Sequence, residues 1–223
     1  VTRQTAYRFL IILGLAALIQ TCNTNEHCSA VDCPTYFGRI LPVGEGIFLF
    51  ATSRSYNGNL SVLGPERLDD SLNYLCKQEG SLITTTNNLC YKYAPLISTF
   101  STPANSLGTN YEDMPLIDVP IRSLFGTFIA RDFVNLFSSD LEISLERAGL
   151  GRQTFWSFGD RTGLQASNNC LNGNDDGTLF LRGTVGNTLN KARESWFETD
   201  IRSCAEFHKI LCLCYNPGSN DEN

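Results

Sequence analysis

Nine cysteines in a chain of 223 residues restrict what this sequence can fold into more than any other feature. They stand at Cys22, Cys28, Cys33, Cys76, Cys90, Cys170, Cys204, Cys212 and Cys214. No CxxC pair occurs and there are two histidines, so the spacing does not suit a zinc site. An oxidising compartment and a disulfide framework explain the count better. With 42% apolar and 18% charged residues, the chain can bury a core of one moderate domain. A net charge of -6 without any run of Lys or Arg speaks against nucleic acid as a partner, because phosphates would be repelled.

The first residues point to the compartment. Arg3 and Arg8 form a short positive region, and Phe9 to Ile19 is an uninterrupted apolar run. That run is too short for a stable membrane span and suits the central part of a signal peptide. It ends in Leu18-Ile19-Gln20-Thr21-Cys22, which resembles the lipobox of bacterial lipoproteins in its looser, spirochaetal version. The resemblance implies a signal peptide over 1–21 and acylation of Cys22, with acyl chains holding the protein on a membrane. Two other readings stand beside it: an ordinary secretory signal with Cys22 in a disulfide, and an uncleaved anchor. Parity supports lipidation, since setting Cys22 aside leaves eight cysteines that can pair completely.

Residues 22–45 read as a lipidated N-terminus and polar tether, 46–215 as the folded domain, and 216–223 as a polar tail. Ile47 to Thr52 predicts a buried strand, and Tyr56 to Asn59 a turn. Pro65 to Gln78 predicts a helix that Gly80 could end, with Leu68, Leu72, Leu75 and Cys76 on its inner face. Residues 81–115 look loop-rich, with a helical turn or two in Tyr91 to Phe100. A short strand is expected at Leu116 to Val119 and a helix near Asp140 to Ala148, capped by Ser139 or Asp140. Thr154 to Gly159 alternates bulky and small residues as a half-buried strand does. Asp160 to Asn190 reads as a long irregular stretch, and His208 to Tyr215 as a closing strand.

In the last third the order Thr154 to Gly159, Cys170, Gly183 to Gly186, Trp196, Cys204 and Lys209 to Cys212 carries a family likeness. Phe48 to Ser53, Tyr56 to Asn59 and a helix ending at Leu75-Cys76 extend it to about 46–215. The pattern resembles endostatin and, more closely, a family of leptospiral lipoproteins of unknown function with an endostatin-like C-type-lectin fold. The resemblance implies an α+β domain stapled by disulfides, with Cys76 bonded to Cys212 and Cys170 to Cys204. Cys28 with Cys33, and Cys90 with Cys214, are assigned to the remaining pairs. Residues 212 and 214, two apart on a strand, face the same side.

Calcium-dependent sugar binding in C-type lectins uses Glu-Pro-Asn or Gln-Pro-Asp followed by Trp-Asn-Asp, and none of these tripeptides is present. Asn172, Asn174 and Asp176 alternate before Gly177 as calcium ligands do. Gly183 stands where an EF-hand would place its bidentate Glu, so a plain Asn/Asp/Gly turn is the competing reading. No metal or cofactor is called for. There is no GxSxG, HExxH or phosphate loop, His27 falls in the tether, and His208 reads as structural or exposed, so an enzyme is not expected. Asp69-Asp70 and Asp175-Asp176 read as solvated, and Trp156 and Trp196 as core.

Recognition remains. Arg147, Arg152, Arg161, Arg182, Arg193 and Arg202 lie in the part that forms the variable face of the fold the resemblance implies, and Arg binds sulfate or carboxylate through a bidentate fork. Endostatin is an Arg-using heparin binder, so the resemblance adds sulfated glycans to host matrix proteins as candidate partners; ordinary surface ion pairs are the alternative. The leading expectation is an outer-membrane lipoprotein of the bacterial envelope, surface-exposed or facing the periplasm, acting as a binding or adhesion module. A structural envelope component without a host ligand, and a calcium-dependent lectin, are the other two.

Overall fold

Two strands from opposite ends of the domain form its centre. β1 (Ile47–Ala51) pairs antiparallel with β8 (Leu211–Tyr215), Ile47 opposite Tyr215 and Ala51 opposite Leu211. Both are apolar on both faces and buried on both, as strands in the middle of a covered sheet must be. Their period of two divides the interior. Ile47, Leu49, Leu211, Leu213 and Tyr215 enter one core. Phe48, Phe50, Cys212 and Cys214 enter the other.

The computed structural model describes residues 46–64, 67–84 and 90–216, all within the unit that spans 35–223. It shows a mixed α+β domain. Around β1 and β8 stand β2 (Lys92–Pro95), β3 (Ile121–Ser123) and β4 (Phe128–Ala130), in the order β2-β8-β1-β3-β4. Only the β1–β3 pair is parallel. A second, antiparallel sheet holds β5 (Thr154–Trp156), β6 (Arg182–Asn187) and β7 (Asp200–Ser203) in sequence order. The Trp156 amide donates to the Lys209 carbonyl at 2.9 Å, joining the second sheet to the segment that leads into β8.

Helix α1 (Leu68–Thr84) covers the cysteine-bearing face. Leu68, Leu72, Leu75 and Cys76 are its buried stripe, as their spacing predicts, and Asp69 and Asp70 occupy the first turn, where the helix dipole favours them. The opposite face is closed by helix α2 (Phe133–Ser138), whose Phe133, Leu136 and Phe137 are buried with Trp196 and Phe197.

Three disulfides tie these layers: Cys76–Cys212, Cys90–Cys214 and Cys170–Cys204, with Cα separations of 5.6, 5.7 and 5.6 Å. These are the partners set out above, and Cys212 and Cys214 do face one side. Cys22, Cys28 and Cys33 lie outside the described residues, as do the stretches expected to be a signal peptide and a tether, Pro65 and the residues beyond 216. Among the described residues no helix is long and apolar enough to cross a membrane.

Several elements differ from the sequence expectations. The helix runs through Gly80 to Thr84. A Cβ on Gly80 would fall 2.0 Å from Cε1 of Tyr93, so this glycine admits a ring rather than ending a helix. Lys92 to Pro95 is an edge strand, not helical turns; Cys90 anchors it to β8, and Pro95 is tolerated at its last position. Leu116 to Val119 is not a strand, and the strand begins at Ile121.

No helix occupies 140–145, and neither Ser139 nor Asp140 caps one; α2 lies earlier, at 133–138. Asp132 caps it by accepting the Asn135 amide at 2.7 Å. Leu141, Ile143 and Leu145 are buried at intervals of two, and only a single wide turn follows at Glu146–Leu150. The strand at 154 ends at Trp156, and Phe155 to Phe158 are buried without alternation because cores lie on both sides. The stretch 160–190 contains β6, hidden from a sequence reading by Gly183 and Gly186. A Cβ on Gly183 would stand 2.7 Å from both Cys170 Sγ and the Trp156 ring, so only glycine lets the strand approach the bridge. The closing strand proper starts at Leu211; His208 forms an isolated antiparallel bridge with Tyr56.

Candidate functional site

One concavity among the described residues is an open groove of ≈ 670 Å³ on the edge-strand side. Helix α1 contributes Asn73, Tyr74 and Lys77, one turn apart on its outer flank. The start of β2 contributes Tyr91, Lys92 and Tyr93. The loop Asn110 to Asp113 forms the facing wall, and Tyr215, the last residue of β8, closes the floor. Five of the chain's eight tyrosines meet here.

The rings divide by depth. Tyr215 is 1% exposed, Tyr93 and Tyr111 are half-buried, and Tyr74 and Tyr91 are 47% and 75% exposed. The deep hydroxyls are committed. Tyr111 donates to Asn73 Oδ1, and Tyr215 donates to Asp113 Oδ1 at 3.3 Å. Burial raises the pKa of both phenols well above the ordinary value, with Asp113 adding to the effect at Tyr215, so both remain neutral donors. Lys92 hydrogen-bonds Asp113 and holds that carboxyl below its usual range.

This groove was not legible in the sequence, since its residues come from four separated segments. The tyrosine count was the available signal, and no local spacing links the positions.

The arginines singled out from the sequence are dispersed. Arg161 pairs with Glu194 at 2.8 Å and Arg202 with Asp200 at 2.7 Å. Arg193 donates from Nε to the Phe137 carbonyl, beside a smaller hollow. Arg182 and Arg202 are on adjacent strands, but Arg202 is opposite Gly183, so the two side chains leave opposite faces of the sheet. Arg147, Arg152 and Arg182 are exposed, and their side chains have no partner among the described residues.

The calcium-like stretch is occupied by its own turn. Asn172 Oδ1 accepts from the Phe100 amide at 3.1 Å and Gln165 at 2.8 Å. Asn174 donates to the Leu171 and Asn172 carbonyls, and Asp176 accepts the Thr178 amide. Asp175, read as solvated, is 1% exposed, with Oδ1 accepting the Leu179 amide and Oδ2 unpaired. Cys170, Leu171 and Asn172 all have positive φ, a left-handed turn pinned by the Cys170–Cys204 bridge. Among the described residues no three His, Cys, Asp or Glu side chains gather as metal ligands.

His208 is a core residue. Its Nδ1 and the Thr154 hydroxyl are 2.6 Å apart, and its ring meets Trp156 edge-on at 4.5 Å. Trp156 donates to the Tyr56 carbonyl at 2.8 Å, and Trp156 and Trp196 are wholly buried. Asp69 accepts from Thr99 at 2.6 Å and from Ser101, which fixes the loop that follows β2.

No protein-family model matches this chain, and no curated protein is similar to it.

Proposed function

We propose that this chain is a membrane-anchored lipoprotein of the bacterial outer envelope whose clasped domain is a non-catalytic binding module. The tyrosine-lined groove carries the reading: an open concavity, with exposed rings at its lip and fixed rings at its floor, presents contact area at low entropic cost. The sequence Leu18 to Cys22 supports the anchor. Adjacent terminal strands, together with the Cys76–Cys212 and Cys170–Cys204 bridges, support a C-type-lectin-like, endostatin-like arrangement. The partner is a macromolecule outside the membrane, either host matrix protein or glycan.

The test has two parts. Intact cells are treated with protease; loss of the domain fits a surface module, and survival fits an inward-facing structural component. The purified full chain is then passed over immobilised matrix protein, heparin and neutral polysaccharide. Retention that Tyr91→Ala weakens supports the groove as the binding surface; retention indifferent to Tyr74→Ala and Tyr91→Ala contradicts it.

A further inference from the structure

The chemistry left free in the groove specifies a ligand class. The two exposed rings, Tyr74 from α1 and Tyr91 just before β2, both line the open groove. The Tyr74 hydroxyl already accepts from Gln78 Nε2 at 2.5 Å, and the floor hydroxyls are bonded to Asn73 and Asp113. Tyr74 and Tyr91 therefore offer a ligand their ring faces, and each keeps a hydroxyl donor.

The polar groups that remain form a balanced set. With Asn73 Oδ1 taken by Tyr111, its amide nitrogen is a free donor. With Asn110 Nδ2 donating to Thr102, its carbonyl oxygen is a free acceptor. Lys77 and Glu112 are exposed, and their side chains have no partner among the described residues. Lys92 and Asp113 neutralise each other. Two positive and two negative side chains line the groove, so its net charge is zero.

That balance discriminates among ligands. With Lys92 and Asp113 paired, a polyanion is opposed by Glu112 and a polycation by Lys77. A proline-rich peptide offers carbonyl acceptors and few donors, which would leave Glu112 and the Asn110 carbonyl unpaired on desolvation. Sugar hydroxyls donate and accept at once, and the C–H faces of a sugar ring lie flat on an aromatic ring.

We infer that the groove between α1, β2 and the 110–113 loop binds a neutral polysaccharide chain, stacked on Tyr74 and Tyr91 and hydrogen-bonded by Asn73, Lys77, Asn110 and Glu112. The site shares no residue with the 172–177 turn and needs no metal. The inference rests on the binding-module reading and names its ligand.

Affinity electrophoresis of the full chain tests it, with a soluble β-glucan, a soluble α-glucan and a galactomannan cast in the gel, and heparin and a proline-rich peptide as comparison ligands. The expected result is retardation by at least one neutral polysaccharide. High salt leaves it unchanged, because no counterions are displaced. Tyr91→Ala and Tyr74→Ala each weaken it about tenfold, while Tyr91→Phe retains it. Both positions are exposed, and unchanged thermal melting establishes that the variants fold. Absence of retardation by all three neutral polysaccharides overturns the inference. Binding to heparin or the peptide alone, sensitive to Tyr91→Ala, overturns the ligand class while leaving the groove as the binding surface. If the tyrosine variants alter binding to none of the ligands, both readings fall.

Discussion

His208 is held neutral by its surroundings. Burial lowers its pKa; Glu206 raises it and Arg202 lowers it, and burial is the largest of the three effects. The unfolded chain therefore takes up a proton more readily than the folded one. The stabilising contribution is complete above the ordinary histidine value of 6.5 and is lost as pH falls from there through the lowered folded value. Thermal melting between pH 7.5 and 5.5 should show a falling Tm for the natural sequence. A His208→Gln variant should start lower and stay nearly flat across that window; an equal slope in both would place the titrating group elsewhere. Tyr56 belongs to the same corner. Its carbonyl accepts from Trp156, and its hydroxyl donates to Glu79 at 3.4 Å. Glu79, 6% exposed, also accepts the Ser53 amide at 2.7 Å, so a buried carboxylate fastens the end of β1 to α1.

At the scale of elements, α1 and β2 meet where Gly80 accepts the Tyr93 ring. Gly→Ala inside a helix ordinarily stabilises by about 1 kcal/mol. Here the added methyl would lie 2.0 Å from the ring, so Gly80→Ala should instead destabilise by about 1–3 kcal/mol. Urea denaturation measures the sign, and a gain in stability would contradict the packing described. The same pair shows why some elements were legible and others not. Helix α1 announces itself through Leu68, Leu72 and Leu75, and β1 through an unbroken apolar run. β2 is four residues held by a disulfide and a neighbouring strand, and β6 is rich in glycine because bulky groups from elsewhere occupy its surface. Both owe their form to distant partners, which local periodicity does not record. The groove is hidden for the same reason, since Asn73, Tyr91, Asn110 and Tyr215 meet only after β8 has returned to lie beside β2.

At the scale of the whole molecule, two of the three bridges among the described residues act as one clasp. Cys76–Cys212 spans 136 residues and Cys90–Cys214 spans 124, and both join the α1–β2 region to β8. In the chain-entropy account, either alone closes a long loop worth about 5 kcal/mol. Once one is closed, the other adds only a small ring, because Cys76 and Cys90 are 14 positions apart and Cys212 and Cys214 are 2 apart. That second closure is worth about 3 kcal/mol. Replacing one bridge by a Ser pair should therefore cost about 3 kcal/mol, and replacing both about 8, more than twice the single loss. Equal, additive losses would show that the two do not share a loop. Non-reducing peptide mapping of the natural exported protein tests the larger account most directly. It should yield an acylated Cys22 at a new N-terminus, together with linked peptides for Cys76–Cys212, Cys90–Cys214 and Cys170–Cys204. Free thiols at 76 and 212, or an unmodified Cys22 still joined to its leader, would contradict it.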